Sequence, residues 1–359
     1  MKRISPILGF FSFLLIAFSL ILSPQTSANG IQNGLRLCAG AILPNLFPFF
    51  VFSEIWIRSG NAEIIAHAAQ PMMKYLFHIS GTSALPMLLG AVGGYPIGAR
   101  TVAQLYTNNQ ISKHDAEQAL LFCNNAGPAF IIGVIGLSLF RSTVAGILLY
   151  AIHILTAMII GIVFRPKNLP NDLNNPVIEC QRERKPFYLI TTDSITHGGQ
   201  TTLQVCIYIV FFSLISMMAY NLLSNLIPEN ILIPILGILE LTTGTDLIGK
   251  SFLHLRTQYA FASLLLGFGG FCVMFQSLSI ISPCGLSGKK LFKGKILQGT
   301  FSGIIAYLIW PLLPDASPCF QILQTNSFPV QQFAITFGLI LTYILITKLT
   351  SGKWEKNRI

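Results

Sequence analysis

Long apolar runs recur from one end of the chain to the other: Ile7 to Leu22, Ile31 to Ile57, Ala84 to Tyr106, Ala116 to Leu139 and Val144 to Phe164. After the polar stretch Arg165 to Pro186, a second series follows at Thr201 to Leu223, Ile231 to Ile248, Tyr259 to Ile281 and Ile296 to Leu313. A last run covers Phe328 to Ile346, beyond the loop Pro314 to Gln324, and leads into the basic tail KWEKNRI. Roughly 20 apolar residues as a helix cross about 30 Å of hydrocarbon, so the pattern predicts an all-α polytopic membrane protein. The first run, preceded by Lys2 and Arg3 and followed by SPQTSANG, reads as a retained transmembrane helix or as a signal peptide with a weak cleavage site. The retained helix is favoured, because another membrane segment follows it. Ala62 to Phe77, with His67 and Lys74, has the pattern of an amphipathic connector lying in the interface.

Composition agrees with this reading. Charged residues are 10% of the chain and hydrophobic residues 52%, against about 25% charged in an ordinary soluble domain. The mean hydropathy is +0.64. The net charge of +10 sits in short loops beside apolar segments, as the positive-inside rule requires, rather than on the clustered basic face that nucleic acid needs. Nucleic acid is therefore not expected as a partner. The cysteines at 38, 123, 180, 206, 272, 284 and 319 lack CxxC spacing and read as small apolar packing residues. No Walker loop, GxGxxG, HExxH or GxSxG motif is present, so no catalytic residue, cofactor or metal is expected.

Charge also fixes parity. The N-terminus, the loop at 165–186, the cluster Lys289, Lys290, Lys293 and Lys295, and the C-terminal tail all read as cytoplasmic. An even number of crossings must separate each pair of them, yet five apolar runs precede residue 165 and three lie between 186 and 289. One run in each half must enter and leave on the same side. Three runs carry backbone-breaking residues: GAVGGYPIGAR in Ala84 to Tyr106, CNNAGP in Ala116 to Leu139 and GFGG in Tyr259 to Ile281. In a membrane such breaks survive only where the backbone is buried in protein or lines a water-filled cavity.

The halves also resemble each other. LLGAVGGYPIGARTVAQLY aligns with LGILELTTGTDLIGKSFL, placing Gly98 on Gly244 and Arg100 on Asp246, and FCNNAGPAFIIG aligns with LGFGGFCVMFQ. The charge count orients the two copies oppositely, the arrangement in which broken helices of many secondary transporters form a site near the midplane. The expected organisation is an N-terminal helix (1–30), a first repeat (31–164), a cytoplasmic connector (165–198), a second, inverted repeat (199–313) and a C-terminal helix with tail (314–359).

GGYPIGA followed by CNNAGP, within a pattern covering nearly the whole chain, resembles the nucleoside-recognition (Gate) family of membrane proteins. The resemblance implies a fold similar to concentrative nucleoside transporters, with two inverted repeats containing re-entrant hairpins. It lies nearest to a sporulation branch of the family, and there it implies movement of pyridine-2,6-dicarboxylate (dipicolinate) across the outer forespore membrane by alternating access. A nucleoside or other neutral heterocycle is the alternative substrate. A non-transporting scaffold of spore maturation is the alternative of another class, and a membrane enzyme would lack its catalytic constellation.

The candidate solute contacts are Gly93, Gly94, Tyr95, Pro96, Gly98 and Arg100 in the first broken run, and Asn124, Asn125 and Gly127 in the next. Thr243, Gly244, Gly269, Gly270 and Gln276 are their counterparts in the second half. Arg100 has the planar fork that suits a carboxylate, though it could equally snorkel to headgroups. Glu240 is a candidate for a coupling cation or proton, and Asp246 for a charge pair with Arg100. His153 reads as a packed, hydrogen-bonded histidine. A small anion and membrane lipid are the expected partners. Self-association and other sporulation membrane proteins remain open.

Overall fold

The computed structural model describes residues 20–59, 62–167 and 186–312. Nearly all of the first apolar run, the loop at 168–185 and everything from 313 onward, including the last run, lie outside the described residues. The chain is an all-α integral membrane protein. Among the described residues, Thr143–Val163, Phe187–Leu223 and Leu255–Cys284 are long and apolar enough to cross a bilayer as they stand.

The first half opens with α1 (Pro24–Leu37) and α2 (Leu43–Arg58), joined without a break by a π turn at Cys38–Ile42. The second half opens with one helix of matching reach, α9 (Phe187–Leu223), and the two pack along each other. Gly30 faces the backbone of Leu214 and Gly34 that of Val210, the small-residue contact by which helices approach in lipid. Helix α9 begins well before the predicted Thr201. In its polar first turns Thr191, Thr192, Thr196 and Thr201 each donate to the carbonyl four residues back, so the hydroxyls need no water.

Next comes α3 (Ala62–Met72) with a π turn at Met73–Phe77. The segment Ala66–Phe77 meets Gly81–Gly93 at 93°, so the predicted connector lies across the entry to the next pair of helices. Helices α4 (Ala84–Gly93) and α5 (Ile97–Thr107) are separated by Gly94, whose φ of 89° suits glycine alone. The bond between Tyr95 and Pro96 is cis. Gly90 on α4 and Gly98 on α5 abut each other and the backbone of Cys123; helices continuing in line would hold them far apart. The pair is therefore a helical hairpin.

A second hairpin joins α10 (Glu229–Leu239) to α11 (Leu241–Lys250), with Gly237 on Gly244 and the side chain of Leu265 against both. The sequence leaves open which of the adjacent segments in this half is re-entrant. The fold-back is at 229–250, and the GFGG run instead forms a kinked span, α12 (Leu255–Phe268) and α13 (Gly270–Ile281), interrupted at Gly269. The physical difference is the close glycine pair: it lets two helix backbones touch, whereas Gly269 and Gly270, with φ of 85° and 77°, only redirect one. The first half has a comparable broken span, α6 (Lys113–Ala119), an irregular stretch and the π-wound α7 (Ala129–Leu139). Each half closes on a plain helix, α8 (Thr143–Val163) and α14 (Lys289–Ile309).

Helix α8 shows how such a helix divides its surface. Leu149, Ile152, His153 and Thr156 are buried, while Leu155, Ile159 and Val163 are exposed, an apolar stripe suited to lipid. Arg165, Lys290 and Lys293 hold segments of the first half and α14 by their side chains. Arg165 donates to the carbonyls of Tyr75 and Leu76, Lys290 to Gln118, and Lys293 stacks on Phe164. A separate cluster packs Tyr259, Phe140 and Trp310 together, the first two fully buried, with Arg256 on the ring of Tyr307 nearby in sequence.

Candidate functional site

The four interruptions converge. Gly127 lies against Gly93 and Gly94, so the irregular stretch before α7 touches the tip of the first hairpin. Gly270 lies against Ile238 and Leu241, so the kink of the second span touches the tip of the second hairpin. Tyr95 connects the two sets: its ring faces Gly269, and its hydroxyl donates to the carbonyl of Leu266 at 2.5 Å. Irregular backbone of this kind belongs in protein interior or beside a water path, and here it gathers at one junction.

Polar side chains fill that junction, and each is buried. Asn124 Nδ2 donates to Ser277 Oγ on α13 at 2.9 Å, and Asn124 Oδ1 is buried without a partner. Asn125 Nδ2 donates to the carbonyl of Phe122, while Asn125 Oδ1 accepts from Gln298 Nε2 on α14 at 3.0 Å. Gln298 Nε2 also bonds the carbonyl of His153 at 2.9 Å, and the Ala126 amide donates to His153 Nε2 at 3.0 Å. The network fixes His153 as the packed, hydrogen-bonded residue that its place in an apolar run suggests.

Lys295 lies at the centre. It is fully buried, its Nζ donates to Gln298 Oε1 at 2.5 Å and sits 5.1 Å from the centroid of the Tyr95 ring. The sequence places Lys295 only within the cytoplasmic cluster with Lys289, Lys290 and Lys293, and the structure buries it. One and a half turns into α14, where Gly294 packs on the backbone of Leu121, the helix has already entered the protein. The available signal was its place directly before the apolar run Ile296 to Leu313.

The ionic residues named from sequence take other places. The ion-pair partner of Arg100 is Glu54 on α2, with Nη2 to Oε2 at 3.0 Å, rather than Asp246. Glu54 also pairs with Arg58 at 2.8 Å. Arg100 lies 5.3 Å from the Phe50 ring centroid and its Nη1 has no hydrogen-bond partner. Sequence alignment of the halves could not find Glu54, because its helix lies outside the broken runs. The buried Glu240 carboxylate accepts from the amides of Thr242 and Thr243 at 2.9 and 2.6 Å, so it caps α11 at the hairpin tip. Thr243 and Gly244 thus belong to the tip and wall of the hairpin. Gln276 is buried on α13 and donates to Cys272 Sγ. Cys38, Cys123, Cys206 and Cys272 are buried free thiols, and no His, Cys, Asp and Glu group suited to a metal occurs among the described residues. The cleft lined by Phe49, Phe52, Leu88, Leu89, Val92 and Ile97 presents apolar side chains only and offers a polar solute nothing.

Comparison with known proteins adds three findings. The family model described as nucleoside recognition (Gate) matches residues 40–223, more than half of the chain, from within the first π turn through α9. The sporulation integral membrane protein YlbJ of Bacillus subtilis (strain 168) is 27% identical over 402 aligned positions, covering 98% of this chain and 98% of the relative. No solved structure matches.

Proposed function

The chain belongs to the nucleoside-recognition (Gate) family, and from that premise we propose that it carries a small anionic solute across the bilayer by alternating access. The observation that carries this reading is the convergence of two hairpin tips and two broken spans on one buried polar junction. Transporters place substrate where discontinuous helices of two repeats meet. A protein with a purely organising role has no need for four coincident interruptions of its membrane helices, each of which frees backbone groups that must be satisfied again.

The substrate we put forward is dipicolinate, and the membrane is the outer forespore membrane of a sporulating cell. The full-length relationship to a protein named for sporulation supports the setting, and the buried Lys295, unmatched by Glu240, which two backbone amides engage, supports an anion. The family's description favours a second substrate, a nucleoside, and the junction's amides would suit one too.

Uptake of radiolabelled dipicolinate into vesicles containing the purified protein, with and without excess uridine, tests the proposal. Saturable uptake indifferent to uridine is the expected result. Uptake of uridine with none of dipicolinate would replace the anion by a nucleoside, and uptake of neither under any ion gradient would favour a scaffold.

A further inference from the structure

Lys295 is 0% exposed, and among the described residues its only hydrogen-bond acceptor is Gln298 Oε1. An ammonium carries three donors; the Tyr95 ring at 5.1 Å satisfies part of that demand through its π face. Among the described residues no carboxylate lies within ion-pair distance of it: Glu54 is engaged by Arg58 and Arg100, and Glu240 by two backbone amides. A buried charge is ordinarily paired, because desolvating it costs several kcal/mol that only a counter-charge and good hydrogen bonds repay.

The surroundings are also those of a site. The residues around the ammonium come from separate elements: Tyr95 from the first hairpin tip, Asn125 through Gln298 from the broken span, and His153 from α8. The amides of Gln298 and Asn125 are locked into each other, so the lysine is held from one side and covered by Tyr95 on another. In the same junction Asn124 Oδ1, an acceptor, is buried without a partner, so the junction is not fully satisfied as it stands. The matched family region ends at residue 223, so Lys295 lies outside it.

We propose that Lys295 is the counter-charge for one carboxylate of the transported anion, which reaches it when the Tyr95 tip moves aside. This deepens the transporter reading and rests on it. It also transfers the anion-binding role from Arg100, which already pairs with Glu54, to a residue beneath the first hairpin's tip. The recognised class is a carboxylate on a small planar ring, whose face takes the place of the Tyr95 ring while the carboxylate takes the free donors.

Equilibrium binding to the purified full chain in lipid nanodiscs tests this, using labelled dipicolinate, its neutral diamide and uridine as probes. Wild type is expected to bind the dianion at least about tenfold more tightly than the diamide, the scale of one charge-assisted contact. Lys295→Gln should lose that preference while its melting temperature stays at or above that of wild type, because an unpaired buried charge has been removed, and Lys295→Arg should retain part of it. If wild type binds dipicolinate and Lys295→Gln binds it equally well, the assignment of Lys295 falls while the transporter reading stands. If wild type binds only uridine, both fall. Should the glutamine variant not fold, the wild-type ratio of dianion to diamide decides: equal affinities overturn the proposal without any variant.

Discussion

Arg100 and Glu54 meet at 3.0 Å with Arg58 on the other carboxylate oxygen, so one carboxylate is shared by two guanidinium groups. Such neighbours are energetically coupled, typically by about 0.5–3 kcal/mol in a double-mutant cycle. A cycle of Glu54→Gln and Arg100→Gln, read by thermal unfolding in detergent, should return a coupling within that range of about 0.5–3 kcal/mol. The cycle of Arg100→Gln with Asp246→Asn should be additive to within about 0.5 kcal/mol. Coupling to Asp246 instead would restore the charge pair suggested by aligning the halves. That alignment placed both residues two positions beyond an equivalent glycine, Gly98 and Gly244, but equivalence in a repeat is not contact. Likewise, a lysine that ends a basic cluster in sequence is solvated or buried according to where its helix enters the protein, which linear spacing does not state.

At the scale of elements, the hairpins depend on glycines that allow helix backbones to touch. A Cβ at Gly98 would collide with the backbone of Cys123, and one at Gly244 with the Cα of Gly237, whereas a Cβ at Gly133 on α7 meets nothing within 4 Å. Overpacking of this kind typically costs about 1–3 kcal/mol. Gly98→Ala and Gly244→Ala should therefore each lower stability by roughly that amount, while Gly133→Ala should be neutral or gain about 0.5–1 kcal/mol from helix propensity. Melting curves of the three variants would check this, and equal effects at all three would remove the close-contact account of the hairpins. The tip at Glu240 was the interruption that Gly and Pro did not advertise. A carboxylate followed by two threonines inside an apolar run is itself a helix-start signal, since the acid can accept from the next free amides, as it does from Thr242 and Thr243.

For the whole molecule, one hairpin in each half reconciles the number of apolar runs with the positions of the basic loops. With 84–107 and 229–250 folding back, the loop at 165–186 and the start of α14 fall on the same side, and the link between α11 and α12 on the other. Single cysteines at Lys113, Lys167 and Lys289 in an otherwise cysteine-free protein should react with an impermeant thiol reagent only from the cytoplasmic side. A cysteine at Phe252, which is 94% exposed, should react only from the opposite side. Labelling of position 252 together with positions 167 and 289 from the cytoplasmic side would mean that the second hairpin crosses the membrane and that α12 and α13 fold back instead. Sequence by itself determined the all-helical membrane class, the apolar runs, three of the four interruptions and the family, because those follow from local composition: hydrocarbon demands apolar length, and Gly, Pro and Asn interrupt a helix wherever they stand. Which run folds back, which carboxylate meets Arg100, and that Lys295 lies covered beneath Tyr95 were decided only in three dimensions. Each depends on contacts between segments distant in the chain, where the close approach of backbones and the cost of an unpaired charge are set by the neighbours that folding supplies.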